Sequence, residues 1–185
     1  LAAVPRIHGG VEVADLRLRL LDTKPDYLFP AGRLVFDGSR GEFRDFVGRP
    51  AKGEGRIEVS GFVAAETATQ LAYDVQVRAE NLPYIYEDIF NAPDIDAEIA
   101  LRSTPTGGLL KGSARLSRAL AEPELIDLTA PSLPPPPAAV QNPFLEHMEL
   151  DVFVDVRDLR VNNELADLRL EGGVTAYGTF YKPRF

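Results

Sequence analysis

The sequence predicts an all-β fold: a long antiparallel sheet accompanied by one or two very short helices. Three observations carry that expectation. Apolar and polar residues alternate with period two wherever breakers are absent, so successive side chains point to opposite faces of a strand. The chain is 45% hydrophobic yet holds no Trp, one Met, 15 Gly and 15 Pro in 185 residues. That is the composition of strands punctuated by turns, not of a helical bundle. The second face of each alternating segment is charged, whereas strands of a buried parallel sheet are apolar on both faces.

Taken in chain order, weak alternation marks Val11 to Leu20, Leu34 to Phe36 and Ile57 to Val59. The first strong segment follows, with Leu71, Tyr73, Val75 and Val77 set against Asp74, Gln76 and Arg78. In Pro83-Tyr84-Ile85-Tyr86-Glu87-Asp88-Ile89-Phe90, Ile85 precedes Ile89 and Tyr86 precedes Phe90 by four residues, which predicts a short helix opened by Pro83. Ile95, Ala97, Ile99 and Leu101 alternate with Asp96 and Glu98, and Leu110 to Leu116 does so more weakly. The Pro-rich stretch from Pro131 to Pro143 predicts an extended, unpaired connection, because Pro lacks a ladder donor. Asn142 then caps a second helical turn containing Phe144 and Met148. Leu150, Val152, Val154 and Val156 alternate strongly, followed by Leu159 to Val161 and Leu168 to Phe180. The whole chain, residues 1–185, reads as one β segment: a strand block over 1–130, a connection over 131–143 and a second block over 144–185. Loosely similar Gly-bracketed units (Gly55 to Gly61, Gly112 to Leu116, Gly173 to Gly178) suggest a sheet extended by successive hairpins.

Several chemistries are excluded or weakened. Zero Cys removes disulfides, thiolate nucleophiles and Cys-based metal sites. A net charge of −8 argues against general affinity for nucleic acid. His8 and His147 are far apart in sequence and lack a matched nucleophile, which disfavours a Ser-His-Asp centre. Asp94, Asp96 and Glu98, like Asp151 and Asp155, fit a solvated strand face better than a metal or glycosidase site. No catalytic residue, metal or cofactor is expected.

An alternating sheet must set something against its apolar face. A second sheet would give a sandwich; an open, curved sheet would instead leave a groove. Small aliphatic side chains on the apolar faces, repeats in series and scarce helix raise the groove to the level of the sandwich, and on pattern alone the two stand equal. Its candidate lining is Ile57, Val59, Tyr73, Val75, Val77, Ile95, Ile99, Leu101, Val152, Val154, Leu168, Leu170, Val174 and Phe180. Three or four strands about 4.8 Å apart match the ~15 Å depth of one lipid leaflet.

The series Gly55-Arg56-Ile57-Glu58-Val59-Ser60-Gly61 and Leu71 to Pro83 resembles the C-terminal region of the TamB family. So do Asp96 to Leu101 leading into Leu110 to Ala119, and Asn142-Pro143-Phe144-Leu145-Glu146 before Leu150 to Val154. The resemblance ends on Leu159 to Gly172 and Gly178-Thr179-Phe180-Tyr181-Lys182-Pro183, and covers roughly residues 50 to 185. It implies a periplasmic β-trough (a β-taco) with an apolar interior, in a Gram-negative-type envelope protein held by an inner-membrane anchor outside this segment. It further implies phospholipid acyl chains as ligands, an outer-membrane Omp85-type (TamA-like) barrel as partner, and a part in outer-membrane protein assembly. A chaperone working by strand addition and an adhesin-like sandwich are the alternatives.

Overall fold

The computed structural model describes residues 6–19, 23–67, 70–86, 89–122, 143–163 and 167–185. Its strands are β1 (Ile7–Leu18), β2 (Thr23–Lys24), β3 (Tyr27–Gly38), β4 (Arg40–Pro50), β5 (Arg56–Ala65) and β6 (Leu71–Tyr86). They continue as β7 (Phe90–Thr104), β8 (Gly107–Ala121), β9 (Met148–Asn162), β10 (Asp167–Thr179) and β11 (Lys182–Arg184), with one helical turn, α1 (Pro143–Glu146), before β9. All belong to one curved, unclosed sheet in the order β1-β3-β4-β5-β6-β7-β8-β9-β10-β11, with β2 beside β6. The all-β sheet expected from alternation is therefore observed, and it is curved and unclosed, as the trough expectation requires.

Three local expectations change. Pro83 to Tyr86 is the end of β6 and Phe90 the start of β7, with Tyr84 paired to Ala92 and Tyr86 to Phe90. No helix forms because a spacing of four also satisfies period two, and Tyr, Ile and Phe favour strands. Residues 87–88 of that candidate lie outside the described residues. Every pairing is antiparallel except β8 with β9, which runs parallel from Gly108↔Met148 to Ala121↔Val161. A parallel neighbour requires the chain to regain the starting end of β8, and the connection carrying the Pro-rich run spans the gap in sequence. Pro131 to Asn142 lies outside the described residues. β4 was not foreseen, because Gly41, Gly48 and Pro50 interrupt its apolar pattern.

Register fixes the faces. One rung of side-by-side residues reads Ile57, Ala79, Ala97, Ala114, Val154 and Val174 from β5 to β10. The next reads Val59, Val77, Ile99, Gly112, Val152 and Ala176. The opposite face carries matched charges across neighbouring strands. Arg102 meets Asp74 at 3.2 Å, Arg78 meets Glu98 at 3.6 Å, Lys111 meets Asp151 at 2.6 Å and Arg115 meets Asp155 at 3.2 Å. A slip of one residue would turn the apolar rungs to water and separate these pairs, so both faces specify the same register.

The strict two-residue step is broken along a line of bulges. Same-face residues are three apart at Val13/Leu16, Phe29/Gly32, Phe43/Phe46, Ala79/Leu82, Ala92/Ile95, Leu116/Ala119 and Val156/Leu159. Extra residues on one side of a sheet bend and twist it. Here they curl the apolar face inward. Aromatic rings then lie over glycines of the next strand: a Cβ on Gly32 would stand 2.8 Å from the Phe46 ring, and one on Gly48 2.7 Å from Phe29.

Candidate apolar groove

The inner face changes character across the sheet. Tyr27, Phe29, Phe46 and Ile57 form a buried cluster, with Val13, Phe43, Val59, Val77 and Leu82 packed around it. Here β3, β4, β5 and β6 curl enough that their side chains fill the concavity. The Tyr27 hydroxyl donates to the Pro83 carbonyl at 3.0 Å, and burial pushes its phenol pKa upward. Toward β10 the same face opens: Leu168, Leu170 and Val174 are 50%, 47% and 46% exposed. Among the described residues few large apolar side chains are buried, so most of the apolar face is half-covered and not sealed by a second layer.

Register places thirteen of the sequence-selected residues on this face. Ile57, Val59, Tyr73, Val75, Val77, Ile95, Ile99, Leu101, Val152, Val154, Leu168, Leu170 and Val174 all share it. They divide into two environments. Ile57, Val59 and Val77 belong to the filled cluster, whereas Val152, Val154, Val174, Leu168 and Leu170 line the open half. Phe180 stands apart, in the turn between β10 and β11. Its N–H donates to the Met148 carbonyl at 2.9 Å, and its ring meets Tyr181 edge-on at 5.6 Å.

At the end of the face away from Tyr27, an open depression of about 880 Å³ below the β7–β8 turn is lined by Val63, Tyr73, Val75 and Leu101 together with the polar Glu66, Gln70, Ser103 and His147. Tyr73 closes its floor, its hydroxyl donating to the Gly107 carbonyl at 3.4 Å. Small residues keep the middle of the face low. Ala79, Ala97 and Ala114 occupy one rung, and Gly112 the next. Gly112 sits at φ +157°, where an added Cβ would stand 2.1 Å from the Glu98 carbonyl oxygen.

Sequence reasoning missed Tyr27, Phe29, Phe43, Phe46 and Leu82. Their strands alternate imperfectly because the bulges shift parity within each strand. A signal was present: Asp or Asn precedes the resumed apolar residue at Asp15-Leu16, Asp45-Phe46, Asn81-Leu82, Asp94-Ile95 and Asp158-Leu159. Three of these, Asp15, Asp45 and Asn81, adopt φ of 51°, 58° and 51°, the left-handed region that Asx residues tolerate.

The charged face does not gather a reactive centre at the carboxylates singled out from sequence. Asp94 is held by Arg118 at 2.8 Å, Asp96 accepts the Asn81 N–H at 2.9 Å, and Glu98 faces Arg78. Asp151 and Asp155 are likewise paired across strands to Lys111 and Arg115. Comparison with protein-family models, with curated proteins and with solved structures finds no match for this chain.

Proposed function

We propose that this chain is a non-enzymatic, TamB-like trough segment whose apolar face seats phospholipid acyl chains and lets them move between the inner and outer membranes. The observation that supports it most is the inner face from β5 to β10, apolar in all but the Ser103 rung and half exposed at Leu168, Leu170 and Val174. Such a surface gains from contact with hydrocarbon. Burying a methylene contributes ~0.8 kcal/mol, so a sixteen-carbon chain covered on one side gains on the order of 6 kcal/mol. That holds a lipid without fixing it, and the absence of a charged side chain from the rungs among the described residues leaves the headgroup free to travel along the rim. In this reading the segment lies in the periplasm, with its membrane anchor outside it and an Omp85-type barrel at its outer-membrane end.

A photo-crosslinking residue at Val154 or Val174 is expected to capture phospholipid in cells, and one at Thr175, on the charged face of β10, is not. Equal labelling at both faces, or none at Val154 and Val174, would refute the groove. A second reading, strand addition to nascent barrel proteins, is favoured by one feature. The outer edge of the twelve-residue β1 is unpaired among the described residues, and an open edge is a template for another strand. It predicts crosslinks from the β1 backbone edge to unfolded barrel strands, unaffected by charges placed at Val154.

A further inference from the structure

The stretch of the trough over β3–β6 is tied shut by the chain itself. β6 runs past β5, whose pairing stops at Arg56↔Glu80. β2 occupies the vacancy, Thr23 pairing with Tyr86 and Lys24 with Ile85. Three residues beyond Lys24, Tyr27 opens β3 and reaches across to the Pro83 carbonyl of β6 at 3.0 Å, its side chain 4% exposed. In a flat sheet β3 and β6 would stand three spacings, about 14 Å, apart. The bridge therefore joins two walls of a curled sheet over the Phe29 and Phe46 rings. Asp26, between β2 and Tyr27, is anchored as well: Arg19 holds its carboxylate at 2.7 and 3.0 Å, and its carbonyl accepts the Ala51 N–H at 2.7 Å. Among the described residues β2 is the one strand off the main path of the sheet, so the β7–β10 half carries no such strand tie.

We propose that β2 and Tyr27 form a strap that closes the trough over β3–β6 and leaves its apolar face open at β10. The strap rests on the lipid-groove reading and specifies where the lipid sits. An acyl chain seated on Val154 and Val174 stops at the Tyr27 wall, and reaches Phe46 only when Tyr27 leaves Pro83. The tie is one hydroxyl bond and a two-residue strand, backed by the Tyr27 ring buried beside Phe29 and Phe46.

The chain has no Trp and no Cys, so single reporters are unambiguous. Phe46→Trp reads the closed half and Val174→Trp the open half; Phe29→Trp replaces the former if it does not fold. Each is titrated with acrylamide and with micelles of a phosphatidylcholine brominated on its acyl chains. Val174→Trp is expected to be quenched by both, and Phe46→Trp by neither until Tyr27→Ala is added, which raises its quenching several-fold. In that background the pair Thr23→Cys/Tyr86→Cys restores shielding when oxidised and releases it when reduced. The strap is overturned if Phe46→Trp in the otherwise unchanged chain is as open to acrylamide as Val174→Trp, or if it stays shielded with Tyr27→Ala and reduced cysteines. If acrylamide behaves as expected while brominated lipid quenches neither reporter, the strap stands and the lipid reading falls.

Discussion

Truncating one residue from each half of the apolar face measures whether protein covers it. Ile57 is 7% exposed within the aromatic cluster, whereas Val174 is 46% exposed on β10. Ile57→Ala removes three buried carbons, about 2.4 kcal/mol of transfer free energy, and leaves a cavity beside Phe29 and Phe46, for a total of about 2–5 kcal/mol. Val174→Ala removes two carbons, about half of whose surface already faces water, for roughly 0.9 kcal/mol. With a urea dependence of about 2 kcal/mol/M, the unfolding midpoint falls by about 1–2.5 M for Ile57→Ala and about 0.4 M for Val174→Ala. Far-UV circular dichroism in urea reads both. The open-trough reasoning is refuted if Val174→Ala costs as much as Ile57→Ala, because β10 would then lie beneath a second protein layer. The same logic extends to charge: Val174→Asp should fold, while Ile57→Asp should not, since an unpaired buried carboxylate has no compensating partner there.

Other expectations follow from single residues. Gly61 lies at φ +117°, and an added Cβ would stand 2.0 Å from the Asp74 carbonyl oxygen; Gly61→Ala should therefore destabilise the sheet far more than Gly172→Ala, which has nothing within 4 Å of an added Cβ, as urea midpoints will show. The buried Tyr27 phenol has a raised pKa. The unfolded chain therefore loses its proton first, and stability declines as pH rises above about 10. Tyr27→Phe should flatten that alkaline limb of a urea-midpoint profile. At the acid end, hydrogen bonds from Arg160 hold the Asp167 carboxyl below its ordinary value. Its contribution is present above the unfolded pKa near 4 and is lost as pH falls through the lower folded value, so Asp167→Asn should shallow the acid limb.

Alternation made the long elements legible, because a strand with one wet face writes its period directly into the sequence. Leu71 to Ala79, Ile95 to Leu101 and Leu150 to Val156 lie inside β6, β7 and β9. What stayed hidden depends on relations between strands. The parallel placement of β9 against β8 is invisible to periodicity, which is the same for either direction. β9 read as two strands because its bulge between Val156 and Leu159 reverses parity midway. The aromatic cluster was illegible because the Phe29 and Phe46 rings sit over glycines of a neighbouring strand, a pairing that only register reveals. Most residues chosen from alternation lie on regular stretches of one face, while Tyr27, Phe29 and Phe46 flank bulges or strand ends. Which half of that face is filled was not legible at all, since it depends on curl.

The curl itself comes from the bulges, and Asn81 tests them. It lies between Ala79 and Leu82 at φ 51°, where the chain gains one residue against β7, and its N–H donates to Asp96 Oδ1 at 2.9 Å. A β-branched residue resists that backbone region, at a cost of about 1–3 kcal/mol, whereas Gly adopts it freely. Asn81→Val should therefore lower the urea midpoint by about 0.5–1.5 M, and Asn81→Gly should leave it nearly unchanged. Because Leu82 and Pro83 follow directly and carry the Tyr27 bridge, the Val variant should also open the Phe46→Trp reporter to acrylamide. Loss of stability with unchanged shielding would mean that the bulge strains the strand without shaping the wall. A Val variant as stable as the wild-type chain would remove the bulge from the causes of the curl altogether. Curl then decides what covers the face: where bulges bring the walls of β3 and β6 within reach of one tyrosine, protein fills the trough, and where β10 keeps strict alternation from Gly172 to Gly178, the apolar face stays exposed.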